Sequence, residues 1–130
     1  MSVQTDSPPA DRLRKILVAD DNRDSADSLA MLLQLGGYEV VVAYDGEAAI
    51  ARAESCRPQV VLLDIGMPRL DGYAVAARLR CESWGRQMRL IALTGWGQED
   101  DKARARKAGF DEHLTKPVDP EELERLIAAC

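Results

Sequence analysis

The sequence predicts an α/β domain built on an open, doubly wound parallel sheet of five strands in the order 2-1-3-4-5. Three observations predict it. Val60-Val61-Leu62-Leu63 is an unbroken apolar run with Asp64 at its end, the form of a strand buried on both faces, as parallel sheets require. Strand-like and helix-like segments alternate five times along the chain, at intervals of roughly 20 to 30 residues. Reactive polar residues fall just past the strands: Asp20, Asp21, Asp64, Thr94 and Lys116. Right-handed crossovers leave few ways to wind five such units. In the common winding, strands one and three are neighbours at the switch point, where ligands bind outside the strand carboxyl ends.

Each element has a local reason. Lys15-Ile16-Leu17-Val18-Ala19 is a short apolar run that stops at Asp20-Asp21-Asn22. Asn22 can cap a helix from Arg23 to Leu35 whose inner face is Ala26, Leu29, Ala30 and Leu33, and Gly36-Gly37 can end it. Val40 to Ala43 is the second strand, and Asp45 caps an alanine-rich helix from Gly46 to about Ser55. Pro58 and Pro68 bracket the central strand, since proline cannot continue what precedes it. Asp71 caps a helix over Gly72 to Cys81, and Leu90 to Leu93 form the fourth strand, ending in Thr94-Gly95-Trp96-Gly97. A charged helix is expected from Gln98 to Ala108, closed by Gly109, and a fifth strand over Asp111 to Leu114. Asp119 and Pro120 start the last helix, which buries Leu123, Leu126 and Ile127.

Composition bounds the function. At 130 residues the chain has room for one continuous core, and 46% hydrophobic with 30% charged residues is a globular composition. A net charge of −5 argues against nucleic acid or an anionic membrane as the direct partner. The start, residues 1–13, is polar with Pro8-Pro9, and reads as a flexible leader or linker without a secretory signal, ahead of a domain over 14–130. Cys56, Cys81 and Cys130 are odd in number and widely spaced, which fits a reducing cytoplasm better than a disulfide framework or thiolate zinc site. With a single histidine, His113, no multi-histidine metal centre is available.

At the carboxyl ends, the first strand delivers Asp20 and Asp21, the third Asp64, the fourth Thr94 and the fifth Lys116, while the second, an edge strand, delivers only Ala43-Tyr44. A lone aspartate at a strand end is usually a cap or turn residue; the company Asp64 keeps argues otherwise. Carboxylates about 4 Å apart repel by roughly 1–4 kcal/mol per pair, so such a cluster needs a cation. Hard oxygen ligands without histidine or cysteine point to Mg²⁺ or a similar ion. Lys116 suits a phosphate oxygen or a neighbouring carboxylate, and Thr94 offers a hydroxyl. Together they make a trap for a phosphoryl group, in which a carboxylate can itself be the acceptor. No Gly-rich phosphate loop is present, so no nucleotide pocket is expected.

The chain resembles the response-regulator receiver domains of two-component signalling, with the flavodoxin-like fold of the chemotaxis regulator. The motifs carrying the match are Val18-Ala19-Asp20-Asp21-Asn22, Leu63-Asp64-Ile65-Gly66-Met67-Pro68 with Asp71-Gly72, Ala92-Leu93-Thr94-Gly95, Ala108-Gly109-Phe110 and Leu114-Thr115-Lys116-Pro117. The resemblance implies that Asp64 is the phosphoacceptor, Asp21 a direct Mg²⁺ ligand and Asp20 a ligand through water, with the Gly66 carbonyl completing the shell. It further implies that Thr94 moves to the phosphoryl group, that Lys116 pairs with it, and that Lys116-Pro117 is cis. A histidine kinase or phosphotransfer protein is the implied donor. A downstream effector protein, read through the fourth helix, fifth strand and fifth helix, is the implied output. Self-phosphorylation and autodephosphorylation would be the only catalysis.

Three positions depart from the family pattern. His113 stands where Tyr or Phe is usual, and is either a switch residue or an ordinary half-exposed strand residue. Gly66 offers no side chain to gate water, and Trp96, between Gly95 and Gly97, is a bulky candidate for the switch. Trp84 reads as ordinary packing. An alternative reading, a Mg²⁺-dependent aspartate-nucleophile phosphohydrolase, usually needs a second acid where this chain has Gly66. A degenerate, binding-only receiver is disfavoured by retention of the five site residues. With the sequence ending at the fifth helix, either a stand-alone regulator or the receiver of a hybrid kinase is expected.

Overall fold

A computed structural model of the chain describes residues 14–95 and 102–128. At its centre β3 (Val60–Asp64) is buried along its whole length. It pairs in parallel with β1 (Lys15–Ala19) on one side and β4 (Arg89–Thr94) on the other. The edges are β2 (Glu39–Ala43) against β1 and β5 (Glu112–Thr115) against β4, giving the order 2-1-3-4-5 expected from the sequence. The expected fold class is the one observed.

The two faces of the sheet follow from the alternation of side chains along each strand. Leu17, Val61, Leu63, Leu90 and Ala92 face one layer, packing with Ala49 and Ala53 of α2 (Gly46–Cys56) and Val75, Ala76 and Leu79 of α3 (Gly72–Cys81). Ala105 of α4 (Lys102–Ala108) and Phe110 close that side. Ile16, Val18, Val60, Leu62, Ile91 and Leu93 face the other layer, formed by Ala26 and Leu33 of α1 (Arg23–Leu35) and Leu123 and Ile127 of α5 (Pro120–Ala128). β1, β3 and β4 carry apolar residues on both faces, so both layers share them, with β3 between the other two.

The caps are those the sequence offers. Asn22, Asp45 and Asp71 each accept from the backbone N–H three residues on, at 3.1, 2.7 and 2.9 Å, and the Asp119 carboxylate accepts from Glu121 N. Strand ends differ slightly from expectation. Glu39 and Arg89 join their strands because Lys15 and Val60 lie in register beside them. Asp111 does not begin β5; its carboxylate instead accepts from Leu90 N and from Arg80. The expected start of the fourth helix at Gln98 lies outside the described residues.

Glycine is required by geometry at Gly72 and at Gly109, one at each end of the sheet. A Cβ on Gly72 would sit 2.7 Å from Ile65 Cα and 2.8 Å from the Asp64 carbonyl oxygen, so glycine lets α3 begin directly against the end of β3. Gly109, at φ +114°, ends α4 in a conformation open to glycine, against the Arg80 side chain. Arg80 binds the amino-terminal edge of the sheet together. Its guanidinium donates to the carbonyls of Gly109, Gly85, Arg86 and Met88 and pairs with Asp111 at 2.8 Å. Gly85 and Trp84 belong to a single 3-10 turn, Ser83–Gly85, in which Trp84 packs half-buried against the core beneath Arg57.

Candidate functional site

β1 and β3, adjacent at the switch point, run their carboxyl ends to the same height, so Asp20 and Asp64 emerge side by side. Asp20 lies just past β1, tied by its own N–H to the Ala43 carbonyl at 3.1 Å. Its carboxylate Oδ1 accepts from Asn22 N at 3.0 Å, which turns the chain and lifts Asp21 into solvent. Asp64 is the last residue of β3, and its Oδ1 accepts from Gly66 N at 2.9 Å. Carboxylate oxygens of Asp20, Asp21 and Asp64 all lie within 4.8 Å of one another. Asp20 is 2% and Asp64 9% exposed, so little water screens their repulsion.

One cation answers them. Lys116, just past β5, places Nζ 2.8 Å from Asp20 Oδ2 and 3.2 Å from Asp64 Oδ2. The Lys116-Pro117 bond is cis, as the sequence led us to expect. Three carboxylates thus face one ammonium and the site keeps an excess of negative charge. Burial pushes the Asp64 carboxyl above its usual range; the nearby Asp20 adds to this, against the Gly66 N–H and Lys116. Burial alone would lower the Lys116 ammonium, but its hydrogen bond to Asp20 and the charges of both aspartates outweigh that and raise it.

Thr94 ends β4, buried, and its hydroxyl donates to the Leu114 carbonyl at 3.3 Å rather than into the acidic cluster. Its own carbonyl accepts from Lys116 N at 2.7 Å, so backbone bonds join the hydroxyl-bearing strand to the lysine. His113 is half-buried on β5, in register with Ala92 and next to Leu114. Gly66 is exposed, and its N–H, not a side chain, touches Asp64. The expected switch residue Trp96 lies outside the described residues.

Tyr44 is the residue sequence reasoning passed over. It follows the edge strand β2, whose last residue, Ala43, accepts at its carbonyl from the Asp20 N–H. Its hydroxyl donates to Asp27 of α1 at 2.7 Å, and the Arg23 guanidinium lies 4.1 Å over its ring. The available signal was an aromatic ring following a strand opposite a helix with Arg and Asp four residues apart. A groove of about 610 Å³ opens beside the cluster, walled by Ser25, Leu29 and Leu32 of α1 and by Pro117 and Val118, with Asp20 and Lys116 at its inner end.

A parallel sheet of order 2-1-3-4-5 with an acidic cluster and a lysine at its switch point defines a doubly wound α/β domain with a charged site at the strand carboxyl ends. The chain belongs to the response regulator receiver domain family, which matches residues 16–128. It is 35% identical over 116 residues to the alkaline phosphatase synthesis transcriptional regulatory protein PhoP of Bacillus subtilis, covering 89% of this chain and 48% of that protein. The chain therefore spans about half that regulator's length. Among solved structures it is similar to the chemotaxis protein CheY4 of Vibrio cholerae, with TM-score 0.85, 29% identity, and 90% and 98% of the two chains covered. It is also similar to the receiver domain of the sensor histidine kinase PA1611 of Pseudomonas aeruginosa, with TM-score 0.82, 32% identity, and 90% and 96% covered. That structure holds a magnesium ion in its active-site cleft.

The chain is thus a receiver domain of two-component signalling, a signalling domain rather than an enzyme of metabolism. Response regulators of such systems interact with histidine kinases and downstream effectors. Among the described residues no helix is long and apolar enough to cross a membrane. The donor set fits a hard divalent cation: three carboxylates, no sulfur or imidazole, and an uncompensated negative charge.

Proposed function

We propose that this domain accepts a phosphoryl group on Asp64 from a histidine kinase or phosphotransfer protein, with Mg²⁺, and thereby changes its affinity for a downstream protein. The observation that carries this reading is the convergence of Asp20, Asp21 and Asp64 on one point, with Lys116 bridging two of them. Asp20, Asp21, Asp64 and the Gly66 carbonyl would hold the cation, which would offset the charge of the carboxylates and of the incoming phosphoryl oxygens.

In the transfer, an Asp64 carboxylate oxygen forms a bond to phosphorus as the phosphorus–nitrogen bond of the donor's phosphohistidine breaks. The imidazole nitrogen keeps that electron pair. Lys116, already on the Asp64 Oδ2, is the ammonium nearest the new phosphoryl oxygens. The groove between α1 and the segment after β5 gives a donor protein a path to the cluster. The added charge of about −1.5 to −2 would then draw the Thr94 hydroxyl off Leu114. That loosens the β4–β5 edge and favours a second arrangement of α4, β5 and α5, the face an effector would read. A cytoplasmic setting goes with this role.

Intact-mass measurement after treatment with acetyl phosphate and Mg²⁺ tests the proposal. A single phosphoryl adduct on the wild-type chain and none on Asp64→Ala is the expected result. An adduct on Asp64→Ala, or turnover of a phosphomonoester in place of stoichiometric labelling, would overturn it.

A further inference from the structure

Arg23 is the cation nearest in sequence to the acidic cluster. It lies two residues after Asp21, a separation of at most about 7 Å along the chain, well within the reach of an arginine side chain. A free guanidinium there would find three carboxylates with one ammonium between them. Instead its charged end rests on the Tyr44 ring, 4.1 Å from the centroid. The ring is itself held, since its hydroxyl donates to Asp27 at 2.7 Å one helical turn beyond Arg23. The guanidinium thus has a ring face to rest on, with an acid one helical turn along, and among the described residues it makes no ion pair within 4.0 Å with Asp20, Asp21 or Asp64.

We propose that Tyr44 is a positioning residue that parks Arg23 away from Asp20, Asp21 and Asp64, and so keeps those acids free for the divalent cation. The inference rests on the Mg²⁺ reading above and concerns how tightly this chain holds the cation. Without the ring, Arg23 is released toward the cluster and competes as an internal counter-ion. A fixed cation that occupies the site in the free protein lowers apparent affinity by the fraction of time it does so. The sign of the effect is specific: loss of Tyr44 weakens Mg²⁺ binding only while Arg23 is present.

Mg²⁺ affinity is to be read from the ¹H–¹⁵N shifts of the Asn22 and Gly66 amides, which donate to Asp20 and Asp64. Thermal melts in chelator verify that each variant folds. Tyr44→Leu is expected to weaken Mg²⁺ by about three- to tenfold, the range of a single screened charge competing at close distance. Tyr44→Phe, which keeps the ring but loses the Asp27 bond, should fall between it and wild type. Arg23→Gln should bind at least as tightly as wild type, and Arg23→Gln with Tyr44→Leu should match Arg23→Gln. A Tyr44→Leu protein with wild-type affinity overturns the inference. A double variant as weak as Tyr44→Leu also overturns it, since the ring would then act by packing alone. Asp21→Asn separates the two levels: if it leaves the Mg²⁺ response intact, the metal reading fails before the parking of Arg23 is in question.

Discussion

The two ends of the sheet handle buried charge in opposite ways. At the amino-terminal end, Arg80 donates to four backbone carbonyls and pairs with Asp111, so one cation meets acceptors that would otherwise be left wanting. At the carboxyl end, Lys116 meets Asp20 and Asp64 while Asp21 stands beside them without a cation of its own among these contacts. The first arrangement is satisfied and therefore structural. The second holds excess negative charge against its own repulsion, and gains from any cation that offsets it. Polar residues at a sheet edge are thus told apart by the balance of donors and acceptors around them, more than by their burial.

That contrast is most easily broken at Arg80. Arg80→Met should destabilise the domain by about 2–4 kcal/mol, because it strips the guanidinium from the Gly109 and Met88 carbonyls and leaves Asp111 only its bond from Leu90 N. Urea unfolding measures this. A loss below about 0.5 kcal/mol, within the range of ordinary surface substitutions, would mean that water replaces the guanidinium freely and that the two ends do not differ in this way. At the other end the sign reverses. Asp21→Asn should stabilise the protein in chelator by about 0.5–1 kcal/mol through relief of repulsion. The same variant should lose most of the stabilisation that Mg²⁺ gives wild type. A variant that melts lower in chelator and still responds fully to Mg²⁺ would show that the three acids do not act as one site.

Acidity sharpens the comparison further. Because the folded state raises Asp64 above its ordinary pKa of 3.8, the native protein binds more protons than the unfolded chain in the interval between the two values. Stability associated with Asp64 is therefore fully present below the ordinary value and is lost as pH rises through the raised one. The advantage of Asp64→Asn over wild type should grow across that window and level off above it. Denaturant unfolding across the acid range, in chelator, provides the curve. Lys116, raised above 10.5, gives the complementary alkaline limb: its stabilisation holds below 10.5 and is lost as pH rises through its folded value. An advantage of Asp64→Asn that is flat with pH would mean that folding does not raise the Asp64 carboxyl.

Much of this was legible because the strongest sequence signals and the strongest physical constraints coincide. β3 is an apolar run because helices cover both its faces, and Asp20, Asp64, Thr94 and Lys116 end or follow strands whose carboxyl ends lie together in a parallel sheet. Asn22, Asp45 and Asp71 cap helices through contacts three residues away, which local sequence encodes. The Arg80 network was not legible, for it joins residues as distant as Arg80 and Asp111 by way of backbone carbonyls, which no side-chain pattern announces. The same holds for Tyr44, dismissed with its edge strand because its partner, Asp27, belongs to the preceding helix and meets it only once β1 and β2 are in register. Strand ends at Glu39 and Arg89 were set by neighbouring strands, not by their own charged character.

The smallest expected effect is conformational and falls at His113. The Thr94 hydroxyl holds the Leu114 carbonyl, and His113 is the residue before it, half-buried and beside Ala92 of the strand that carries Thr94. If phosphorylation draws that hydroxyl toward Asp64, the β5 backbone at Leu114 loses a partner and the neighbouring imidazole meets a changed surface. Beryllofluoride with Mg²⁺, a mimic of the phosphoryl group, should therefore shift the His113 imidazole NMR signals of the wild type. The Arg80 Nε signal at the opposite end of the sheet, bonded to Gly109, should remain where it was. A Thr94→Val protein lacks the hydroxyl and should show a much smaller His113 response under the same conditions. Equal His113 shifts in the two proteins would make the imidazole a bystander of the charge itself. No shift in a wild-type sample whose Asn22 and Gly66 amides have moved would return His113 to an ordinary strand residue, and leave the path from Asp64 to the α4–β5–α5 face to be carried by other side chains.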